Sequence, residues 1–286
     1  MLTATTELLL RARQDRYAVG AFNVYNLEGA LAVVQAAEQM ASPVIVQVLP
    51  AALAVGGRAL AALCLTVAED GRVPVGVHLD HCSSGAVIDD ALDAGIVSVM
   101  ADGSARDLDG NIEFTRRVVL KATAAGGSVE GELGWLSGEE DGAPLGSGRE
   151  QLTEPTEARR FVEETGVAAL AVCIGNVHGR YRRPPQLDFQ RLEAIAVQVP
   201  VPLVLHGTSG LPAALIHAAI DRGICKFNIN TELRSAYLQI LAASSTDGTA
   251  RELLPCMQCC IAAMREVVCA KITLFRSAGR APLSSP

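Results

Sequence analysis

Short apolar runs of strand length recur along the chain, and most are followed by a stretch with apolar residues at three- and four-residue intervals. The runs predict eight β-strands, at residues 18–22, 43–48, 73–79, 98–101, 128–133, 169–174, 202–205 and 225–229. Apolar strands that alternate with helices are typical of a parallel sheet covered by helices. Eight of them predict an α/β fold of the (β/α)8 TIM barrel type.

Helical spacing occurs between these runs, at residues 27–40, 84–94, 107–125, 156–165 and 212–220. Ser84 and Asp107 are expected to cap two of the helices with side-chain hydrogen bonds, and Pro212 suits a first helical turn. A last helical region covers about 250–274. We therefore predict that residues 1–286 form one barrel domain with a C-terminal helix.

The segment 134–153 interrupts the alternation, because it has five glycines, three consecutive acidic residues and no periodic pattern. Loops of this length in compact domains are usually functional or mobile. We predict a mobile active-site loop, and a disordered insertion is the alternative.

The composition describes a globular protein with a large core, since 50% of the 286 residues are hydrophobic and 19% are charged. The net charge is −7 and the basic residues are scattered, so neither a nucleic acid nor a membrane surface is an expected partner.

The apolar run at 8–10 is too short for a signal sequence or a membrane span, which predicts a cytoplasmic protein. Eight cysteines lie mostly in apolar stretches and are expected to be reduced, and for Cys256, Cys259 and Cys260 helix packing is favoured over metal binding.

Polar residues gather where the predicted strands end, which in such a barrel is the mouth that carries the chemistry. These residues are His78, Asp80, His81, Asp102, Glu130, Glu132, Asn176, His178, His206, Asn228 and Asn230. Three of the histidines, His81, His178 and His206, can supply imidazole nitrogens from different sides and leave a position open, as in a catalytic zinc site. Glu132 is a further or alternate ligand.

Two glycine- or asparagine-containing turns follow the seventh and eighth strands, at 206–210 and 228–231. This is the usual phosphate site of such barrels, where backbone N–H groups and short hydroxyls can bind the anion. Either turn alone can also be an ordinary tight loop. The two together, beside a metal site, favour phosphate binding.

The chain carries eight motifs in one order: YAVGAFNVYN at 17–26, HLDH at 78–81, ADGS at 101–104, EGELG at 130–134, GEED at 138–141, NVHG at 176–179, HGTSG at 206–210 and KFNINT at 226–231. With these motifs it closely resembles the class II, zinc-dependent fructose-bisphosphate and tagatose-bisphosphate aldolases, the ketose-bisphosphate aldolase family. The resemblance runs nearly from end to end.

The resemblance implies that Asp80 is the acid/base group and that Glu140 moves the carbon-bound proton. It implies Zn2+ on His81, His178 and His206, with Glu132 in alternate metal binding, and a monovalent cation, Na+ or K+, near the phosphate. The implied substrate contacts are Asn23, Gly179, Gly207, Thr208, Ser209, Asn228, Ile229, Asn230 and Thr231. A homodimer or homotetramer is expected.

The implied reaction is reversible aldol cleavage of fructose 1,6-bisphosphate or tagatose 1,6-bisphosphate to dihydroxyacetone phosphate and an aldehyde such as glyceraldehyde 3-phosphate. Three positions depart from the family pattern, and the two that concern the far phosphate leave open a ketose monophosphate as the substrate or an unphosphorylated aldehyde as the partner. Leu49 stands where a serine commonly contacts the far phosphate, residues 253–261 lack a basic residue, and Ser137 replaces a loop glycine.

Two other interpretations compete with a zinc aldolase. A Schiff-base aldolase needs a desolvated lysine, and Lys226 shares strand parity with Asn228 and Asn230. The second is a non-catalytic homologue that binds a sugar phosphate, which the altered far-phosphate positions suggest.

Overall fold

The computed structural model describes residues 1–135, 139–140, 143–144, 151–177, 179, 181, 184–246 and 252–282. Ten strands are present: β1 Val19–Asn23, β2 Val44–Val48, β3 Val75–Cys82, β4 Ser98–Ala101, β5 Ser128–Leu133, β6 Glu139–Glu140, β7 Ala143–Pro144, β8 Ala169–Val172, β9 Leu203–Leu205 and β10 Ile224–Ile229. Eight of them close a parallel barrel in the order β1-β10-β9-β8-β5-β4-β3-β2, while β6 and β7 form a separate antiparallel pair. The predicted (β/α)8 barrel is confirmed, and each predicted strand overlaps an observed one.

The helices cover the outside of the barrel and one of its ends. They are α1 Thr5–Asp15, α2 Leu27–Gln39, α3 Pro50–Asp70, α4 Gly85–Asp93, α5 Leu108–Ala124, α6 Pro155–Thr165, α7 Phe189–Gln198, α8 Ala213–Asp221, α9 Thr231–Thr246 and α10 Leu253–Leu274. Asp107 caps α5 as predicted, by accepting a hydrogen bond from the backbone N–H of Gly110. The predicted side-chain cap at Ser84 is wrong, because its carbonyl oxygen instead accepts from the Cys82 thiol and the Ile88 N–H.

Helix α1 closes the N-terminal end of the barrel. The backbone N–H of Thr3 donates to the Val75 carbonyl, and the Thr5 hydroxyl donates to Ser98, so this segment crosses the starts of β3 and β4. Apolar residues of α1 join inward-facing strand residues in one buried group, which we call the floor cluster: Leu8, Leu9, Ala12, Tyr17, Val19, Ala21, Ile45, Met100, Ala169, Ala171, Val204 and Cys225. The open mouth of the barrel is therefore at the opposite end, where the strands end.

Two described helices, α3 and α10, are long and apolar enough by length and composition to cross a membrane. Core helices of barrels pass the same test, so this is weak evidence. Helix α10 contacts α2 and α9 and buries Val268 and Ile272 completely, and α3 buries Cys64 and Ala68 against the barrel.

The predicted mobile loop at 134–153 falls mostly outside the described residues, which omit 136–138, 141–142 and 145–150. Its mobility, the position of Ser137 and the limits of the predicted single domain stay predictions. Within the described part, Trp135 pairs with Gln151 in an antiparallel bridge, so the two ends of the segment meet beside β5.

Candidate active site at the barrel mouth

A β-bulge in β3 brings two consecutive residues, Asp80 and His81, to the same site. The register with β4 shifts between Leu79 and Cys82, so β3 contains one extra residue there. His81 has a φ of 41°, in the left-handed region that residues with a side chain rarely adopt. Consecutive strand residues normally face opposite sides of a sheet. The bulge removes this alternation, so that Asp80 and His81 both face the barrel mouth.

His81 and His206 face one another at the centre of the mouth. The distance between His81 Nε2 and His206 Nδ1 is 2.8 Å, and both residues are nearly buried. The other nitrogen of each ring contacts a carboxylate: His81 Nδ1 lies 3.1 Å from Asp102 Oδ2, and His206 Nε2 lies 2.9 Å from Glu130 Oε1. Carboxylates only accept hydrogen bonds, so these outer nitrogens carry the ring hydrogens.

With hydrogen on the outer nitrogens, the lone pairs of the two inner nitrogens face one another, where a cation can bind both. Carboxylate-backed histidines of this kind are typical metal ligands. Two imidazoles on one tetrahedral zinc would have their nitrogens about 3.3 Å apart, close to the observed spacing. The ligand atoms of Asp80, His81 and His206 also lie within 4.8 Å of one another. These residues fit a divalent metal ion, while His178, the third predicted ligand, lies outside the described residues.

Asp102 and Glu132 form a second acidic group around His81, with ligand atoms also within 4.8 Å. Burial raises the pKa of Glu132 to about 8, and the neighbouring Asp102 charge adds to the rise. Burial also opposes ionisation of Asp102, but hydrogen bonds from His81 and Ser104 outweigh it and hold the pKa of Asp102 below its usual range. These surroundings favour the protonated form of Glu132, and a nearby cation would favour its ionised form.

Three side-chain amides hold the carboxylate of Asp80. Asn23 Nδ2 and Gln47 Nε2 each donate to Oδ2 at 3.0 Å, and Asn228 Nδ2 donates to Oδ1 at 2.9 Å. All four side chains are buried. Asp80 is thus fixed in orientation beside the histidine pair, where a carboxylate can serve as a general acid or base.

Gln47 was not predicted as a site residue, although its place at the end of β2 in an otherwise apolar VIVQV run is a usable signal. Asn23 and Asn228 were predicted to bind substrate, and in the structure both contact Asp80. The Oδ1 atom of Asn228 is buried and has no hydrogen-bond partner in the described part of the chain. A buried acceptor without a partner is unusual in a folded protein and marks Asn228 as a candidate for ligand contact.

The loop after β9 and the start of α9 meet at the predicted phosphate site. Gly207 and Gly210 have φ values of 62° and 85°, which the turn requires and other residues resist. Tyr181 donates a 2.8 Å hydrogen bond to the Gly207 carbonyl, and Tyr25 donates a 2.9 Å bond to Asn230 Oδ1. A cleft of about 460 Å³ opens here, lined by Tyr181, Ser209, Gly210, Thr231, Glu232, Ser235, Ala236, Gln239 and Val267.

This geometry suits an anion, because Thr231 begins α9 and free N–H groups at a helix start favour negative charge. The acidic Glu232 in the first turn is paired with Lys271 at 2.7 Å, which offsets its charge. Thr208 is turned inward and its hydroxyl donates to the Asn228 carbonyl. Ile229 is completely buried on the outer side of β10, so only its backbone can reach a ligand.

The remaining predicted residues are placed as follows. Gly179 is described and has a φ of 82°, but its neighbours His178 and Arg180 are outside the described residues. Glu140 lies in β6, and its side chain is outside the described part. His217, a histidine outside the mouth, contacts the Leu274 carbonyl at 3.1 Å, which places it in helix packing.

Lys226, the residue of the competing Schiff-base interpretation, is 1% exposed and lies inside the barrel. Its ammonium group donates to both oxygens of Glu130, at 2.8 and 3.1 Å. A nucleophilic lysine must lose its proton and reach the substrate. An ammonium group held by a carboxylate on the far side of His206 does neither, so the metal interpretation is favoured.

Comparison with known proteins agrees with this site. The sequence profile of the family described as fructose-bisphosphate aldolase class-II matches residues 3–280. A fructose-bisphosphate aldolase from Thermus caldophilus is 40% identical over 309 aligned positions, which cover 98% of this chain and 100% of the relative.

Three solved structures share the fold. A protein from Coccidioides immitis, provisionally described as a fructose-1,6-bisphosphate aldolase, has a TM-score of 0.91 and 32% identity, with 96% of each chain covered. The YdjI aldolase from Escherichia coli has a TM-score of 0.86 and 34% identity, covering 99% of this chain and 100% of that one. A fructose-bisphosphate aldolase from Campylobacter jejuni, at 22% identity and a TM-score of 0.81 over 97% and 96% of the two chains, shows the fold alone.

The profile match, the identity to a curated aldolase over nearly all of both chains, and the paired histidines beside Asp80 agree with one another. The protein is therefore an aldolase that belongs to the class II fructose-bisphosphate aldolase family.

Proposed function

We propose that the protein catalyses reversible, zinc-dependent aldol cleavage of a ketose phosphate to dihydroxyacetone phosphate and an aldehyde. The observation that carries the proposal is the pair of carboxylate-backed imidazoles, 2.8 Å apart, beside an amide-held Asp80. His81 and His206 would hold the ion together with His178, with Glu132 as an alternate ligand. The bound ion would act as a Lewis acid that stabilises negative charge on the substrate carbonyl oxygen.

The residues of the chain would supply positioning and proton transfer. The loop after β9 and the start of α9, with Gly179, Gly207, Thr208, Ser209, Asn230 and Thr231, would bind the phosphate of the dihydroxyacetone phosphate half. Asp80 would exchange a proton with the C4 hydroxyl, and Asn228 Oδ1 would accept from a substrate hydroxyl. Glu140 would move the carbon-bound proton. We further propose a monovalent cation near the phosphate, and a homodimer or homotetramer in the cytoplasm.

The substrate class follows from the contrast between the two ends of the mouth. The turns proposed to bind phosphate keep their glycines and short polar residues, whereas the Leu49 side chain, directly after β2, is buried and offers no polar contact. Fructose 1,6-bisphosphate and tagatose 1,6-bisphosphate are the first candidates, since the relatives carry fructose-bisphosphate aldolase names. Leu49 favours a second candidate, a ketose that is phosphorylated at C1 only.

The test is a cleavage assay with fructose 1,6-bisphosphate, tagatose 1,6-bisphosphate and fructose 1-phosphate, each with and without a zinc chelator. We expect cleavage of at least one substrate, its loss on chelation and its return with added zinc. Activity that survives chelation, or trapping of substrate by borohydride, would contradict the metal mechanism. Zinc-loaded protein that neither cleaves any of the three nor exchanges the C3 proton of dihydroxyacetone phosphate with solvent would indicate a binding homologue.

A further inference from the structure

A chain of buried polar side chains continues from His206 into the interior of the barrel. His206 Nε2 contacts Glu130 Oε1 at 2.9 Å, and Glu130 in turn accepts two hydrogen bonds from Lys226. These three side chains are at most 3% exposed. They come from β5, β10 and the end of β9, so the chain crosses the barrel.

This arrangement determines which ring nitrogen of His206 carries hydrogen. Lys226 holds both oxygens of Glu130, which fixes the carboxylate in place. Since a carboxylate only accepts, His206 Nε2 must donate, and the lone pair is then on Nδ1. Nδ1 is the nitrogen that faces His81 Nε2 at 2.8 Å. With the other tautomer, Nδ1 would carry a hydrogen and could not ligate a metal ion.

A purely structural role explains the pair poorly. Taking two charges out of water is costly, and replacement of a buried ion pair by apolar residues of similar volume is often neutral or stabilising. Leu9, Ile45 and Ala169 of the apolar floor cluster line one small cavity together with Glu130 and Lys226, so apolar packing partners are available beside the pair. Retaining two buried charges therefore calls for a role in the site.

We propose that Glu130 and Lys226 are positioning residues of the metal site. Lys226 holds the Glu130 carboxylate, and Glu130 fixes the tautomer of His206 that presents Nδ1 to the ion. Asp102 acts in the same way on His81, through its contact with Nδ1 at 3.1 Å. This inference rests on the proposed metal function and adds two residues that do not contact the ion.

The first test measures zinc affinity by competition with a chromophoric chelator. Loss of either residue alone leaves its buried partner unpaired and can prevent folding, so the main variant is the apolar pair Glu130→Leu/Lys226→Met. We expect zinc affinity about 10- to 100-fold weaker, the usual cost of losing a residue that orients a ligand. Glu130→Gln/Lys226→Met returns a neutral acceptor and should recover part of the affinity. The control variant Lys121→Met removes an exposed ion pair with Asp89 and should leave the zinc affinity unchanged.

The second test reads the tautomer directly, by 15N NMR of the histidine rings in metal-free protein. Wild type should show His206 with hydrogen on Nε2, a signal that is assigned by its absence in His206→Asn. The apolar pair should lose this preference. Wild-type His206 with hydrogen on Nδ1, or wild-type zinc affinity in both double variants, would overturn the inference while the metal site stands. Wild-type protein that binds no zinc would instead overturn the proposed function, and this inference with it.

Discussion

The floor cluster and the mouth of the barrel are built on the same strands, yet they follow opposite rules. Along β1 the inward-facing residues are Val19, Ala21 and then Asn23, and along β2 Ile45 is followed by Gln47. A step of two residues keeps the side chain on the inner face and moves it from an apolar layer to the layer that holds Asp80. The change from apolar to polar therefore occurs within one pleat.

The two regions differ in what their contacts specify. Floor residues need only volume and apolarity, because dispersion and burial have no direction. Mouth residues need particular atoms in particular places, as the three amides on Asp80 and the carboxylates behind His81 and His206 show. We therefore expect substitutions at the floor to change stability and substitutions at the mouth to change function.

The largest effect is expected for Asp80→Asn, which keeps the size of the side chain and removes its capacity to exchange a proton. Turnover in the cleavage assay should fall about 10²- to 10⁴-fold, the range for loss of a general acid or base. Zinc should still bind through the histidines, and thermal unfolding checks that the variant is folded. A variant with wild-type turnover would show that Asp80 is not the acid/base group.

At the floor, Leu9→Ala removes a side chain that is 3% exposed in the apolar cluster. The free energy of unfolding should fall by about 2–5 kcal/mol, from lost burial and the cavity that remains. Denaturant titration measures this change, and Leu10→Ala at an exposed position of the same helix is the matched control. Zinc affinity of the folded Leu9→Ala protein should be unchanged, and a loss of affinity would contradict the separation of the two regions.

His78 lies between the two regions, and it makes stability depend on pH. Burial, together with Lys226, lowers the pKa of His78 to about 3. The unfolded chain then takes up a proton below about pH 6.5 that the folded protein does not, so stability falls as the pH falls. His78→Leu should remove a loss of about 2 kcal/mol between pH 7 and 5. If the free energy of unfolding changed with pH by the same amount in wild type and His78→Leu, a lowered pKa of His78 would be contradicted.

The smallest effect is expected for Gln47→Leu, which removes one of the three amide donors to Asp80. One lost hydrogen bond to a charged group should lower turnover about tenfold, or about 1.4 kcal/mol in activation free energy. Steady-state kinetics should show the effect mainly in kcat, since the hydrogen bonds of Gln47 go to Asp80 and Asn23. A change confined to KM would assign Gln47 to substrate binding instead.

The barrel was predictable because each of its strands is buried on both faces and therefore stands out as a continuous apolar run. Helices gave weaker signals. Helix α1 begins without a capping side chain, and α3 contains Gly57 in a non-helical conformation, so neither was among the predicted helices. Packing of their apolar faces against the barrel stabilises both helices despite the missing cap and the non-helical glycine.

The site was predictable as a set of residues at strand ends, but its pairings were not. Strand parity shows that Glu130 and Lys226 point inward, and it cannot show that they meet across the barrel behind His206. Nor does the sequence reveal the bulge that turns both Asp80 and His81 to the mouth. These features depend on register and barrel closure, which bring together residues far apart in the chain, such as Asn228 and Asp80, whose hydrogen bond joins positions 148 residues apart.

The most direct measurement is anomalous diffraction at the zinc edge from crystals grown with zinc. We expect one strong peak at the barrel mouth, about 2.0–2.1 Å from both His81 Nε2 and His206 Nδ1, with His178 completing the set. A peak elsewhere, or no peak at this position in crystals of protein that cleaves its substrate, would contradict a metal held between these two imidazoles.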